Sequence, residues 1–343
     1  MKAAVWNDKG GLDVVDRPIP EPRPGWVRLR VAAVGICGTD LHFYRGAFPS
    51  PAGLLPGHEI GGVIDALGEG IKLPLGAAVA IEPQAYCGEC YQCRTGNHNR
   101  CAKKVLLGVT GRGGCAEFAT VPAYGVYPLP DGVPATAGAL VEPLAVCVRG
   151  IHRGHVEPGQ RVVILGAGTI GLMSIITARA AGASEILVAA RHPHQQNAAR
   201  TLGAHAVFDT IETLASSLGE LTVDCVIETV GGHAATLTDA VRLIRPGGIV
   251  LMLGVFDGAS PIPALDCSTK EVTLIGSNCY ARNGSHTDFD VAIELLRANL
   301  EPLTALVTHR FTLDQINQAF QTAADKSSSS IKVHLMPSGN VAN

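Results

Sequence analysis

The stretch RVVILGAGTIGLMSIITARA, residues 161–180, decides the fold. Its opening, RVVILGAG (161–168), is a short apolar run, the pattern of a strand buried on both faces. GAGTIG (166–171) is a G-x-G-x-x-G that closes this strand and opens a helical pattern running through Ala181. In such a loop Gly166 permits the tight turn, Gly168 lets backbone approach a pyrophosphate, and Gly171 lets helix pack on strand. The helix N-terminus adds unpaired N–H groups and the positive end of a dipole. The expected dinucleotide-binding positions are therefore Gly166, Gly168, Thr169, Ile170 and Gly171. A glycine turn without a ligand is the plain alternative in a chain with 40 glycines.

Downstream, ILVAA (186–190), HAVFD (205–209), VDCVIE (223–228), GIVLMLG (248–254) and VTLIGS (272–277) repeat the apolar run. Helical segments such as 194–202 and 233–244 separate them. Six strands alternating with helices predict an α/β fold with a doubly wound, parallel, six-stranded sheet over residues 151–281. Residues 1–150 have a different texture, rich in Gly, Pro and short β-branched runs. VRLRVAAVGIC (27–37) and GGVIDALG (61–68) read as strands of a mostly β domain. In the segment 282–343, a helix at 288–299, another within 309–326 and a strand at 331–336 predict a return to that first domain. SSSS (327–330) fits a surface turn.

At 343 residues the chain suits two domains and needs no covalent staples for its core. Lys and Arg total 27 against 30 Asp and Glu, a net charge of −3, and no long basic run occurs. This argues against nucleic acid or an anionic membrane as partner. MKAAVWNDKG has no signal-peptide apolar core. The longest uncharged run, 162–178, is short for a membrane span. A soluble cytoplasmic protein acting on a small molecule is expected.

The strand at 186–190 carries a second signal. About 20 residues past the glycines, an acid ordinarily binds the adenosine ribose 2′-hydroxyl. Here Ala190 and Arg191 stand in that place. A small side chain leaves room for a 2′-phosphate and a guanidinium can pair with it, so NADP(H) is expected over NAD(H). His192 and His194 add partial positive charge. The plain alternative is a solvated loop arginine.

Of ten cysteines, four cluster in CGECYQCRTGNHNRC (87–101). Cys87, Cys90, Cys93 and Cys101 can surround one tetrahedral Zn²⁺ with no open position, which makes a structural site within a lobe at 84–104. His98 reads as a bystander there. A second, dispersed set is Cys37 in GICGTDLH (35–42), His58 and Glu59 in PGHE (56–59), and Glu142 in LVEPLAV (140–146). Cysteine, histidine and carboxylate around a zinc with an open position make a catalytic composition. Each also has a plain reading: Cys37 as a small core residue, His58 as a turn residue, the two acids as surface groups.

Taken in order, GICGTDLH, LPGHE, the four-cysteine lobe, LVEPLAV, GAGTIG and LVTHRF (306–311) resemble the zinc-containing medium-chain dehydrogenases, polyol (sorbitol) dehydrogenase branch, over nearly the whole chain. The resemblance implies a GroES-like, mostly β catalytic domain plus a Rossmann domain. It implies two zincs per chain, with Cys37, His58 and Glu59 as catalytic ligands. Glu142 would be a ligand or hold the zinc-bound water. Thr39 and His42 match the proton-relay positions. It further implies reversible hydride transfer between a nicotinamide cofactor and a secondary alcohol or ketone, in a homo-dimer or homo-tetramer. The alternatives are an NAD-dependent polyol dehydrogenase, a zinc-free quinone or enoyl reductase, and a non-catalytic NADPH-binding protein. This chain departs from typical sorbitol dehydrogenases in Ala190 where they carry Asp, in Phe43 where animal forms carry tyrosine, and in its complete four-cysteine lobe.

Overall fold

The computed structural model describes residues 1–49, 51–219 and 222–339. The chain forms two compact units, one of Met1–Glu142 with the chain from Gly284 onward, the other Pro143–Asn283. The compositional break at 150/151 lies within the helix Val141–Arg153, in which the second unit begins.

The first unit is built on the strand Trp26–Gly35. Its outer half alternates buried and half-buried residues, and from Val31 to Gly35 every residue is buried. A strand of that pattern has neighbours on all sides. Glu59–Leu67 and Phe118–Pro122 pair with it antiparallel, as does Lys332–Met336. The main path of this seven-stranded sheet runs Val307–Thr312, Lys332–Met336, Trp26–Gly35, Glu59–Leu67, Ala78–Ile81, Val126–Pro128, with Phe118–Pro122 off it beside Trp26–Gly35. Its core gathers Trp6, Leu29, Val31, Ile60, Ile81 and Phe320. The helix Ile316–Ala324 buries Ile316, Ala319, Phe320 and Ala323, the i, i+3, i+4, i+7 stripe of an amphipathic helix.

The second unit holds the six-stranded sheet, in the order Ala206–Phe208, Glu185–Ala189, Arg161–Leu165, Val223–Glu228, Ile244–Met252, Thr273–Gly276. Every pairing is parallel. The chain starts in the middle, winds one way, then reverses between Arg161–Leu165 and Val223–Glu228. This is the switch point beside which doubly wound folds bind their ligands. The expected α/β class, a mostly β unit joined to a six-stranded parallel sheet, is what the chain forms.

The serine run differs in one detail. Lys326–Ser328 is a 3-10 turn and Ser329 is left-handed at φ 60°. Ser330, however, is buried, and its hydroxyl donates to the Thr322 carbonyl alongside that of Ser328. The chain there is already entering the buried strand Lys332–Met336. Among the described residues, no helix is long and apolar enough to cross a membrane.

Candidate active site and metal centres

The four-cysteine lobe closes on itself. Cys90 precedes the short helix Tyr91–Arg94, which carries Cys93, and the chain then curls back to Cys101. The Sγ separations are 3.5 Å for Cys87–Cys101, 3.6 Å for Cys90–Cys93, and 3.9 Å for Cys87–Cys93 and Cys90–Cys101. Four sulfurs at about 2.3 Å from one tetrahedral zinc stand about 3.8 Å apart, so the cage has zinc dimensions. A disulfide needs about 2.05 Å, and all four are free thiols. The Cys93 N–H, donating to the sulfur of Cys90, lowers that thiol to about 6. Backbone N–H groups of Cys87 and Lys103 point at the Cys101 sulfur. His98 stacks on the Tyr86 ring at 4.0 Å.

The second centre forms where three strands of the first unit meet. Cys37 caps the helix Gly38–Tyr44 just past Gly35, and Gly35 lies opposite Glu59 in the sheet register. One ligand atom each from Cys37, His58 and Glu59 lies within 4.8 Å of the others. Gly35 is a requirement of this packing, since a Cβ there would run into Glu59 Oε2. Gly57, at φ +92°, turns the chain where a side chain would collide with Val34 and Cys115.

Two residues that the sequence did not single out complete the centre. The Lys332 Nζ lies 2.7 and 2.6 Å from the two Glu59 oxygens and donates to the Ile36 carbonyl at 3.1 Å. Asp40 accepts the Cys37 N–H through Oδ2, and its Oδ1 stands 3.7 Å from His58 Nδ1. Burial disfavours the charged forms of both His58 and Lys332. The acids and Cys37 around them outweigh it, holding His58 well above its usual range and Lys332 above its own. Burial raises Asp40. Cys37, His58 and Glu59 offer a sulfur, nitrogen and oxygen donor set that suits zinc.

Glu142 is buried at the start of the helix Val141–Arg153 and lies outside the three-residue group. It acts on His58 through charge. Thr39 and His42 are i, i+3 neighbours on the helix Gly38–Tyr44, hence on one face. The His42 ring stacks on Phe48 at 5.0 Å, and Phe43 packs against Phe48 and Trp6.

In the second unit the glycine loop is sterically committed. Gly166 sits at φ +95°, and a Cβ on Gly171 would strike the Gly166 carbonyl. Gly168 is the N-cap of the helix Thr169–Ala180, and the space at its Cβ position is open. Ala190 is buried beyond the strand Glu185–Ala189, its carbonyl accepting from Gln196 Nε2. Arg191 is exposed, and no carboxylate among the described residues pairs with it.

Residues 23–131 match the alcohol dehydrogenase GroES-like domain, and residues 169–298 match the zinc-binding dehydrogenase family. The chain belongs to the zinc-containing medium-chain dehydrogenases. Within them it falls in the polyol dehydrogenase-like branch. It is 32% identical to 2-dehydro-3-deoxy-L-galactonate 5-dehydrogenase of Pseudoalteromonas atlantica, over 93% of this chain and 94% of the relative. It is also 32% identical to sorbitol dehydrogenase of Macaca fascicularis, over 93% and 91%. The crystal structure of a zinc-binding dehydrogenase from Sinorhizobium meliloti bound to NADP superposes with a TM-score of 0.89 at 29% identity, covering 98% and 99% of the two chains. The protein is thus an alcohol or polyol oxidoreductase of this family.

Proposed function

We propose that the protein transfers hydride reversibly between NADP(H) and a secondary alcohol or ketone, a polyol or sugar derivative, with one catalytic and one structural zinc per chain. The observation that carries this reading is the buried group of Cys37, His58 and Glu59 with their ligand atoms within 4.8 Å. When bound, zinc and nicotinamide supply Lewis acidity and a hydride acceptor. The protein supplies the rest. Cys37, His58 and Glu59 would hold the metal, with Asp40 facing the His58 ring from behind. Glu142 would be a further ligand or would hold a water at the site. Thr39 and His42 pass the proton outward along one helix face. The cysteine lobe, with no open position, holds its zinc for structure.

In the second unit Gly166, Gly168, Thr169, Ile170 and Gly171 cradle the pyrophosphate, and Arg191 takes the 2′-phosphate over the small Ala190. The unpaired, exposed guanidinium supports NADP(H) over NAD(H). A homo-oligomer is part of this proposal, because among the described residues the edge strand Thr273–Gly276 pairs on one side only, which suits addition of a second copy. A cytoplasmic location is part of it too.

Fluorescence titration with NADPH and NADH at fixed ionic strength tests the cofactor. NADPH should bind at least about tenfold tighter, about 1.4 kcal/mol. Equal or tighter NADH binding overturns that assignment and favours NAD-linked polyol oxidation. The variant Cys37→Ser should abolish turnover and leave NADPH binding intact, and turnover in that variant rejects zinc catalysis. Metal analysis should find two zincs per chain. One zinc would leave the structural site alone, and none would overturn the reading.

A further inference from the structure

The first unit carries a cavity away from Cys37, His58 and Glu59, none of which lines it. It is open-mouthed, with a cavity volume of about 120 Å³, below the roughly 300–1,000 Å³ of drug-sized sites and near the roughly 150 Å³ that holds a single benzene ring, so it suits a small ligand. Its lining includes Arg17 and Arg112, and no Asp or Glu. Neither arginine forms an ion pair among the described residues. Arg112 is exposed, and the one contact of the Arg17 guanidinium is a long 3.4 Å hydrogen bond to the Gly53 carbonyl. Pro18, Pro20, Leu55 and Phe118 supply apolar walls.

Two guanidiniums without carboxylates, in a concave and largely apolar setting of a chain that is net acidic, form a receptor for an anion. We infer that this cavity is a second ligand site, which takes a small organic anion, a carboxylate or phosphate ester carrying an apolar body. The anionic group pairs with Arg17 and Arg112, and the body lies against Leu55 and Phe118.

The cavity wall is tied to the catalytic centre by backbone. Gly113 N donates to the Leu55 carbonyl, Cys115 N to that of Pro56, and Gly114 N to that of Gly57. These three bonds clamp the loop after Arg112 onto the segment that leads into His58. An anion drawing Arg112 inward therefore acts on the segment that presents a metal ligand, which makes the site regulatory in kind.

Isothermal titration of the zinc-loaded protein, with NADPH saturating to occupy the cofactor site, tests this with phenyl phosphate, benzoate and inorganic phosphate as probes. Phenyl phosphate or benzoate should bind with a dissociation constant below about 1 mM, and tighter than inorganic phosphate. Which of the two binds tighter tells a phosphate ester from a carboxylate as the natural class. The variant Arg17→Gln/Arg112→Gln should weaken that binding at least tenfold, and Arg191→Gln should leave it unchanged. Absence of binding at millimolar probe, or undiminished binding in the double variant, overturns the inference. A double variant that fails to fold is replaced by Arg112→Gln alone, whose exposed side chain has no folding role and for which a threefold or greater loss is expected.

Discussion

The Lys332–Glu59 pair makes the sharpest prediction. Both side chains are sealed from solvent, 2% and 1% exposed, and the ammonium contacts both carboxylate oxygens and one carbonyl. Lys332→Met leaves Glu59 charged and buried with its partner gone. Breaking a buried pair on one side costs about 3–5 kcal/mol, chiefly for the charge left behind. At about 2–4 °C per kcal/mol for a unit of this size, the zinc-stripped protein should melt roughly 6–20 °C lower. Zinc should recover part of that loss, since a carboxylate released from lysine gains the metal as partner. The variant should thus show a larger zinc-induced rise in Tm than the wild type. Replacing both, as Glu59→Leu/Lys332→Met, removes the orphaned charge and should restore most of the zinc-free stability. Scanning calorimetry with and without zinc reads all of this. A single-variant loss below about 1 kcal/mol, or a double variant as unstable as the single, would refute the claim that the pair is buried and charged.

Gly35→Ala forces a methyl against the Glu59 carboxylate; it should cost about 1–3 kcal/mol and deplete zinc from the catalytic centre, as seen by melting and metal analysis. Cys87→Ser should remove one of two zincs and several kcal/mol of lobe stability, measured by metal content and by proteolysis within 84–104. Gly171→Ala, with its Cβ against the Gly166 carbonyl, should weaken NADPH binding at least tenfold while zinc content holds. Burial, helped by Lys332 and Arg310, depresses His334 to about 3. Its unfolded form protonates near 6.5, so the folded state loses up to about 1.4 kcal/mol per pH unit as pH falls from 6.5 toward 3. His334→Gln should flatten that slope in urea titrations at pH 6.5 and 4.5.

The second unit was the more legible half in sequence. Its strands are buried on both faces, so each reads as an apolar run, and the glycine loop is fixed by sterics local to six residues. The cysteine lobe is likewise local, its ligands within 15 residues of chain. The candidate centre of Cys37, His58 and Glu59 was legible only in part. Cys37, His58 and Glu59 sit in recognisable short motifs, whereas Asp40 and Lys332 act through tertiary contacts that periodicity does not encode. Lys332 opens a strand that otherwise reads as apolar, and a lysine at a strand start ordinarily means solvent. Only the antiparallel pairing of Lys332–Met336 with Trp26–Gly35 sets it against Glu59. Glu142 was grouped with the ligands by motif; it lies outside the three-residue group and acts on His58 through charge.

That pairing also sets a timetable. Lys332 lies 273 residues after the carboxylate it neutralises, with the whole second unit threaded between them. At about 5–20 residues per second, synthesis reaches Lys332 roughly 14–55 s after Glu59. Cys101 follows Glu59 by 101 − 59 = 42 residues, so from roughly 2–8 s onward the growing chain has all four cage cysteines while the pocket of Cys37, His58 and Glu59 still lacks one wall and its counter-charge. The catalytic pocket therefore reaches its final electrostatics last, once the tail has threaded back into the sheet.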